Sequence, residues 1–245
     1  MSFSDDEIER YARHLVLAEI GGPGQQRLKA ARVGLVGVGG VGAPAALYLA
    51  AAGVGTLRLI DDDVVAASNL QRQILFAAKD VDRLKTEAGA EALTALNPHV
   101  AVETRAERLT PGSADRLLEG CDLVIDGTDD FATRFAVSDA CLALAIPLVS
   151  GALGRWTGQV GVFEGRPCYR CLVPAAPPDA ETCARVGVVG ALAGVIGSMA
   201  ALEAVKRIVG AGQPLSGRLL IYDGLAGTAR TVRIAPDPAC PACGR

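Results

Sequence analysis

Histidine is nearly absent. His14 and His99 are the only two in 245 residues, and neither is assigned a role in chemistry. Basic excess is missing as well: Lys and Arg total 24 against 27 Asp and Glu, a formal net charge of −3. The chain therefore carries no electrostatic footprint for nucleic acid. No signal peptide is legible, because MSFSDDEIERYARH is acidic and polar where an apolar stretch would be required. The longest apolar tract, Val186 to Met199, is rich in Gly and Ala and is followed by Glu203, Lys206 and Arg207. It falls short of the roughly 20 apolar residues a membrane span needs. It reads as a buried core helix, and no membrane partner is expected. Repeats and linker-like boundaries are also missing. Together these absences point to a cytoplasmic protein, whose seven cysteines are expected to be reduced, metal-bound or catalytic and not disulfide-bonded.

What the chain does hold is apolar: half its residues are hydrophobic, enough to bury a sizeable core. It is organised around a stretch near the N-terminus. Val33, Leu35 and Val36 form a short β-branched run that reads as a buried strand. Gly37-Val38-Gly39-Gly40-Val41-Gly42 follows, containing the G-x-G-x-x-G spacing, and then an Ala-rich helix from about Val41 to Ala52. A second strand, Thr56 to Ile60, ends in Asp61-Asp62-Asp63. Gly37 allows the tight turn, Gly39 lets the backbone approach a phosphate, and Gly42 lets helix and strand pack closely. The helix N-terminus offers unpaired N–H groups to an anion. Asp61, 19 residues beyond Gly42, is placed to accept hydrogen bonds from a ribose. Strand, turn, helix, strand and acid in that order indicate a nucleotide site and leave open whether the nucleotide is NAD or ATP.

Ser4 and Glu7 have the spacing of a capping box and open a helical arm over residues 1–30. Arg10 and Arg13 on this arm read as a solvated face, and Gly21-Gly22-Pro23-Gly24 is expected to break the helix. After Asp63, the segment holding Asn69 and Arg72 falls at the carboxyl end of the sheet, where open α/β folds place ligands. Arg72 there suits phosphate oxygens. Asp82 to Leu96 reads as a helix with Lys85 in its first turn, where a lysine opposes the macrodipole and an anionic ligand would explain it. Strands are expected at Val100–Thr104, Cys121–Asp126 and Pro147–Ser150, with a helix from about Thr133 to Ala145. Asp129 is either the N-cap of that helix or a magnesium ligand. The fold class is α/β: a Rossmann-like, mostly parallel sheet over residues 31–150. Strands at Gly158–Phe163, Leu219–Tyr222 and Arg230–Ile234 extend it antiparallel over residues 151–245.

Two C-x-x-C pairs, Cys168/Cys171 and Cys240/Cys243, stand about 70 residues apart. Four thiolates in two hairpin-like pairs make a closed, structural zinc site. Cys121 and Cys141 read as core thiols. Cys183 follows a Pro-rich loop with Arg185 nearby to favour its thiolate, and it reads as a nucleophile or as a packed structural thiol.

GVGGVG, SNLQRQ, the lysine of DRLK, GTDD, SGALGRWTGQV, CYRC, ETC and the terminal CPAC closely resemble the MoeB/ThiF family of ubiquitin-activating-enzyme-like adenylyltransferases, its molybdopterin-synthase branch in particular. The resemblance covers nearly the whole chain as one adenylyltransferase domain, 1–245. It implies ATP-dependent adenylation of the C-terminal glycine carboxylate of a small ubiquitin-like sulfur carrier, with loss of pyrophosphate, in molybdenum cofactor or thiamine biosynthesis. Carried over, Gly37, Gly39, Gly40 and Gly42 form the nucleotide turn, with Asp61 on the ribose and Asp63 beside it. Asn69, Arg72 and Lys85 contact the triphosphate, and Asp129 binds Mg²⁺. Arg13 reaches the neighbouring subunit's phosphates, which implies a homodimer. Cys168, Cys171, Cys240 and Cys243 hold zinc, and Cys183 aligns with a cysteine that can take up the carrier or sulfur. No rhodanese stretch follows Cys243, so a separate sulfurtransferase or cysteine desulfurase is implied. Asp130 departs from the Asn that many relatives carry. Two competing readings are an NAD-dependent oxidoreductase, which leaves Arg72, Lys85 and Asp129 without a purpose, and a non-catalytic carrier-binding scaffold, which gains nothing from unpaired charges.

Overall fold

The computed structural model describes residues 2–177 and 187–244. Cys183 lies outside these residues. The first strand, β1 (Arg32–Val36), is buried on both faces as its apolar run requires, and it pairs in parallel with β2 (Thr56–Ile60) on one side and β4 (Leu123–Asp126) on the other. Beyond β2 lies β3 (Ala101–Arg105), and beyond β4 lies β5 (Leu148–Leu153). From β5 the sheet turns antiparallel through β6 (Thr157–Phe163), β7 (Arg218–Asp223) and β8 (Thr228–Arg233). The order is β3-β2-β1-β4-β5-β6-β7-β8. Winding runs outward from β1 to β3 and then restarts at β4, so a crevice opens between the carboxyl ends of β1 and β4, where open α/β sheets bind ligands.

Helices cover both faces. On one face α3 (Gly21–Ala30), α4 (Gly42–Ala51), α5 (Lys85–Leu96) and α9 (Gly190–Val209) enclose a core that includes Leu28, Leu35, Leu49, Leu59 and Ile196. On the other, α6 (Ala114–Leu118), α7 (Phe131–Ala143) and α8 (Tyr169–Leu172) pack over Val124, Leu117, Val137 and Phe163. The 20-residue α9 is the expected core helix. It crosses α4 at Gly197, where a Cβ would stand 2.3 Å from the Pro44 ring and 2.5 Å from the Val41 carbonyl oxygen. Only glycine admits that approach. Among the described residues no helix is long and apolar enough to cross a membrane.

The N-terminal arm begins as the sequence indicates. Ser4 Oγ accepts from the Glu7 amide at 3.2 Å and the Glu7 carboxylate accepts from the Ser4 amide at 2.9 Å, closing the capping box of α1 (Asp5–Arg10). A short α2 (Ala12–Leu15) follows. Tyr11 then folds over Gly53, and its hydroxyl accepts from Asn97 Nδ2 at 2.9 Å. One expectation is corrected here. Gly21-Gly22-Pro23-Gly24 lies within the arm and, where a break was expected, is the first turn of α3, starting with Gly21 at φ +53°. Proline is tolerated in a first turn because those N–H groups have no intrahelical partner.

Candidate active site

The crevice between β1 and β4 is a cleft of about 430 Å³. Its floor is the turn after β1. Gly37 adopts φ +82°, a conformation that glycine reaches without cost. At Gly42 a Cβ would lie 2.0 Å from the Gly37 carbonyl oxygen, so close packing there demands glycine, as expected. At Gly39 a Cβ would meet only Gln73 Nε2, at 3.6 Å. The protein itself does not require glycine at this position, and the bare backbone faces the cleft. Gly37, Gly39, Gly40, Asp61, Asp63, Asn69, Arg72, Lys85 and Asp129 all line this one cavity. Arg13 does not. It is exposed on the arm, away from the cleft of its own chain.

The charged residues settle into a definite pattern. Asp61 is buried, and its carboxylate accepts from the Val38 amide at 2.7 Å and from the Asp63 amide at 2.9 Å. It therefore ties the glycine turn to the end of β2. Burial pushes its carboxyl above the ordinary value, with Lys85 and the two amides opposing that rise. Lys85 is the first residue of α5, and its Nζ donates to Asp63 at 2.6 Å and lies 3.9 Å from Asp61. The anion that explains a lysine at a helix N-terminus is thus supplied within the chain, and an anionic ligand would have to draw Lys85 from Asp63. Arg72 donates to the Ser68 carbonyl at 3.1 Å. Among the described residues it forms no ion pair within 4 Å.

The choice of N-cap is also decided. Asp130, not Asp129, caps α7, accepting from the Thr133 amide at 2.8 Å and from Arg108 at 3.1 Å. Burial alone would raise its carboxyl, but these two partners outweigh it and hold it below the usual range. Asp129 is left exposed at the cleft rim, free for a cation beside an anionic ligand. The donor chemistry fits a hard divalent ion, which takes carboxylate oxygens.

Several lining residues were not singled out from the sequence. Gln73 is buried, and among the described residues its Oε1 has no hydrogen-bond partner. Arg108, Arg134 and Tyr169 come from the loop after β3, from α7 and from α8. Gln73 lies inside the SNLQRQ run and could have been marked there. The other three are brought in by topology.

The cysteine pairs meet as their spacing implies. Cys168 and Cys240 Sγ are 3.5 Å apart, Cys171 and Cys243 Sγ 3.3 Å, and all four lie within 4.8 Å of one another. Four thiolates 2.3 Å from a central ion would stand about 3.8 Å apart, so the set fits tetrahedral zinc. The Asp237 amide donates to Cys171 Sγ at 3.4 Å, the kind of contact that steadies a metal-bound sulfur. Cys121 and Cys141 are buried in the core, and burial pushes both thiols up, away from reactivity.

Comparison with known proteins gives a consistent result. The model of the ThiF family matches residues 11–242. The sulfur carrier protein adenylyltransferase of Thermus thermophilus is 44% identical, covering 100% of this chain and 93% of that protein. The molybdopterin-synthase adenylyltransferase of Escherichia coli K12 is 43% identical, covering 99% of this chain and 98% of its own length. A crystal structure of E. coli MccB with MccA-N7isoASN shares the fold at TM-score 0.86 and 22% identity, covering 100% of this chain and 76% of that one.

Proposed function

The chain belongs to the ThiF family, and from that premise we propose that it adenylates the C-terminal Gly-Gly carboxylate of a small ubiquitin-like sulfur carrier with ATP–Mg²⁺, releasing pyrophosphate. One observation carries this reading: the phosphate turn, Asn69, Arg72, Lys85 and Asp129 converge on one cleft that no histidine lines. A carboxylate attacking the α-phosphate is already ionised at neutral pH, so no general base is needed. What the reaction requires is charge neutralisation and alignment. In this reading the amides around Gly39 and the Arg72 and Lys85 side chains take the triphosphate, and Lys85 exchanges Asp63 for phosphate oxygens. Asp61 presents its remaining lone pairs to the ribose. Asp129 would hold Mg²⁺, which supplies electrostatic stabilisation of the phosphates when bound. The four-cysteine cluster would hold structural zinc.

Arg13, exposed on the arm, would complete the cleft of a second subunit in a homodimer. Sulfur would reach the acyl-adenylate from a sulfurtransferase or cysteine desulfurase, with Cys183 as a candidate acceptor, in molybdenum cofactor or thiamine biosynthesis. An NAD-dependent oxidoreductase is the poorer reading because it leaves Arg72 and Asp129 unused.

Carrier-dependent exchange of labelled pyrophosphate into ATP is the test. Exchange is expected with a carrier ending in Gly-Gly. Arg72→Ala and Asp129→Ala should each reduce it by about 100-fold or more, the scale of one lost charge-stabilising group. Absence of ATP binding would overturn the reading, and tight NADH binding would favour the oxidoreductase.

A further inference from the structure

Gln73 is only 4% exposed, yet its side-chain Oε1 has no hydrogen-bond partner among the described residues. A buried amide left in that state is costly, and native structures keep few of them. Its neighbours make the choice of residue conspicuous. Leu75 and Phe76, two and three positions on, are buried apolar side chains, so the segment enters the core without needing a polar group at 73. The backbone is satisfied: the Gln73 amide donates to the Asn69 carbonyl at 2.9 Å, and the Gln73 carbonyl accepts from the Phe76 amide at 3.1 Å. The unmet demand belongs to the side chain.

The segment is held closely against the glycine turn. Asn69 Oδ1 accepts from the Ala66 amide at 3.3 Å. The Gln71 carbonyl oxygen would stand 2.0 Å from a Cβ at Gly190, at the start of α9, and Arg72 Cδ would stand 3.8 Å from one at Gly40. Gln73 Nε2 lies 3.6 Å from the point where a Cβ of Gly39 would be. Gln73, Gly39, Asn69, Arg72 and Lys85 all line the cleft. The amide thus offers an N–H donor beside the bare backbone of Gly39, where an anion can approach the turn.

We propose that Gln73 is a ligand-binding residue of this cleft, its side-chain N–H donating to a phosphoryl oxygen of a triphosphate seated against Gly39. The inference rests on the adenylation reading and deepens it, adding a neutral donor to the charged set of Arg72 and Lys85. A hydrogen bond to an ionised oxygen is stronger than one between neutral groups. The unpaired Oε1 is then what the ligand-free chain tolerates in order to keep a donor at a buried position.

Gln73→Met is the test, because methionine is similarly long and unbranched and adapts to the same space while the amide is lost. Calorimetric titration with ATP–Mg²⁺ should show affinity weakened by about tenfold or more, the scale of one hydrogen bond to a charged group. Titration with tripolyphosphate and Mg²⁺ should show a loss of the same size, since the contact is to phosphate. Thermal unfolding of the ligand-free variant should give a melting temperature equal to or above that of the wild type, because an apolar replacement removes an unpaired buried group. Weaker ATP binding at undiminished stability is a combination that a merely structural glutamine would not produce. Unchanged ATP affinity would overturn the proposal, as would a loss seen with ATP but not with tripolyphosphate, which would place the contact on the nucleoside. A melting temperature lowered by more than about 4 °C would show that the amide serves the fold, and would overturn it too. Wild-type protein that binds tripolyphosphate but no ATP would remove the adenylation reading and leave the Gln73 contact to be decided by the tripolyphosphate titration. Wild-type protein that binds neither would remove both.

Discussion

At Gly42 a methyl group would stand 2.0 Å from the Gly37 carbonyl oxygen, and at Gly39 it would meet only the tip of Gln73 at 3.6 Å. The two glycines of one motif therefore differ: Gly42 is fixed by contact with the turn itself, and at Gly39 the protein imposes no such constraint. Gly42→Ala must displace backbone and should cost about 3 kcal/mol, a fall in melting temperature of about 10 °C for a chain of this size. Gly39→Ala should change stability by less than about 0.5 kcal/mol and weaken ATP binding by at least about tenfold. Thermal unfolding and calorimetric titration of the two variants separate these outcomes. Equal loss of stability in both would show that Gly39 too serves the turn. The spacing of the motif was legible from sequence. The division of labour within it was not, because it depends on which atoms the turn brings back against itself.

Among elements, α7 shows how local and tertiary signals divide. Adjacent acids, Asp129 and Asp130, both suit an N-cap. Backbone conformation selects Asp130, whose φ −116° and ψ 141° aim its carboxylate at the Thr133 amide. Arg108 from the loop after β3 then pairs with it. Since the folded carboxyl lies below its unfolded value, its stabilisation is present above about pH 4 and is lost as pH falls through the folded value. Asp130→Asn keeps a competent cap and loses the pair. After allowance for solvent screening it should cost about 0.5 kcal/mol at pH 7, and the deficit should shrink in melts taken as pH falls below the ordinary carboxylate value of about 4. A deficit independent of pH would contradict the ion-pair account. In α5 the expected helix starts later, at Lys85, because Asp82 sits at φ 68° and cannot be helical. In α3 the Gly-Pro run that signals a break is the start of the next helix.

For the whole molecule, a zinc ion held by the four cysteines would close a long loop. Cys168 and Cys240 are 72 residues apart, and between them lie α9, β7 and β8. By chain-entropy reasoning a closure of this length contributes about 4 kcal/mol. Removing the metal with a chelator, or introducing Cys240→Ser, should lower the melting temperature by about 10 °C together with loss of zinc from the protein. Zinc loss with an unchanged melting temperature would mean that packing of β7 and β8 alone holds the C-terminal segment. The floor of the cleft, by contrast, is the turn after β1, in the parallel part of the sheet.

The sequence by itself determined the alternating strands and helices, the glycine turn after β1, the buried helix and the paired cysteines. Each rests on a period, a glycine or a short spacing that acts within a few residues. Tertiary structure alone decided the rest. It brought Arg134 from α7, Tyr169 from α8 and Arg108 from beyond β3 to one cavity, gave Lys85 its partners in Asp61 and Asp63, and left Arg13 outside the cleft of its own chain. Those outcomes depend on contacts between segments tens of residues apart, and spacing along the chain carries no record of them until the sheet order is set.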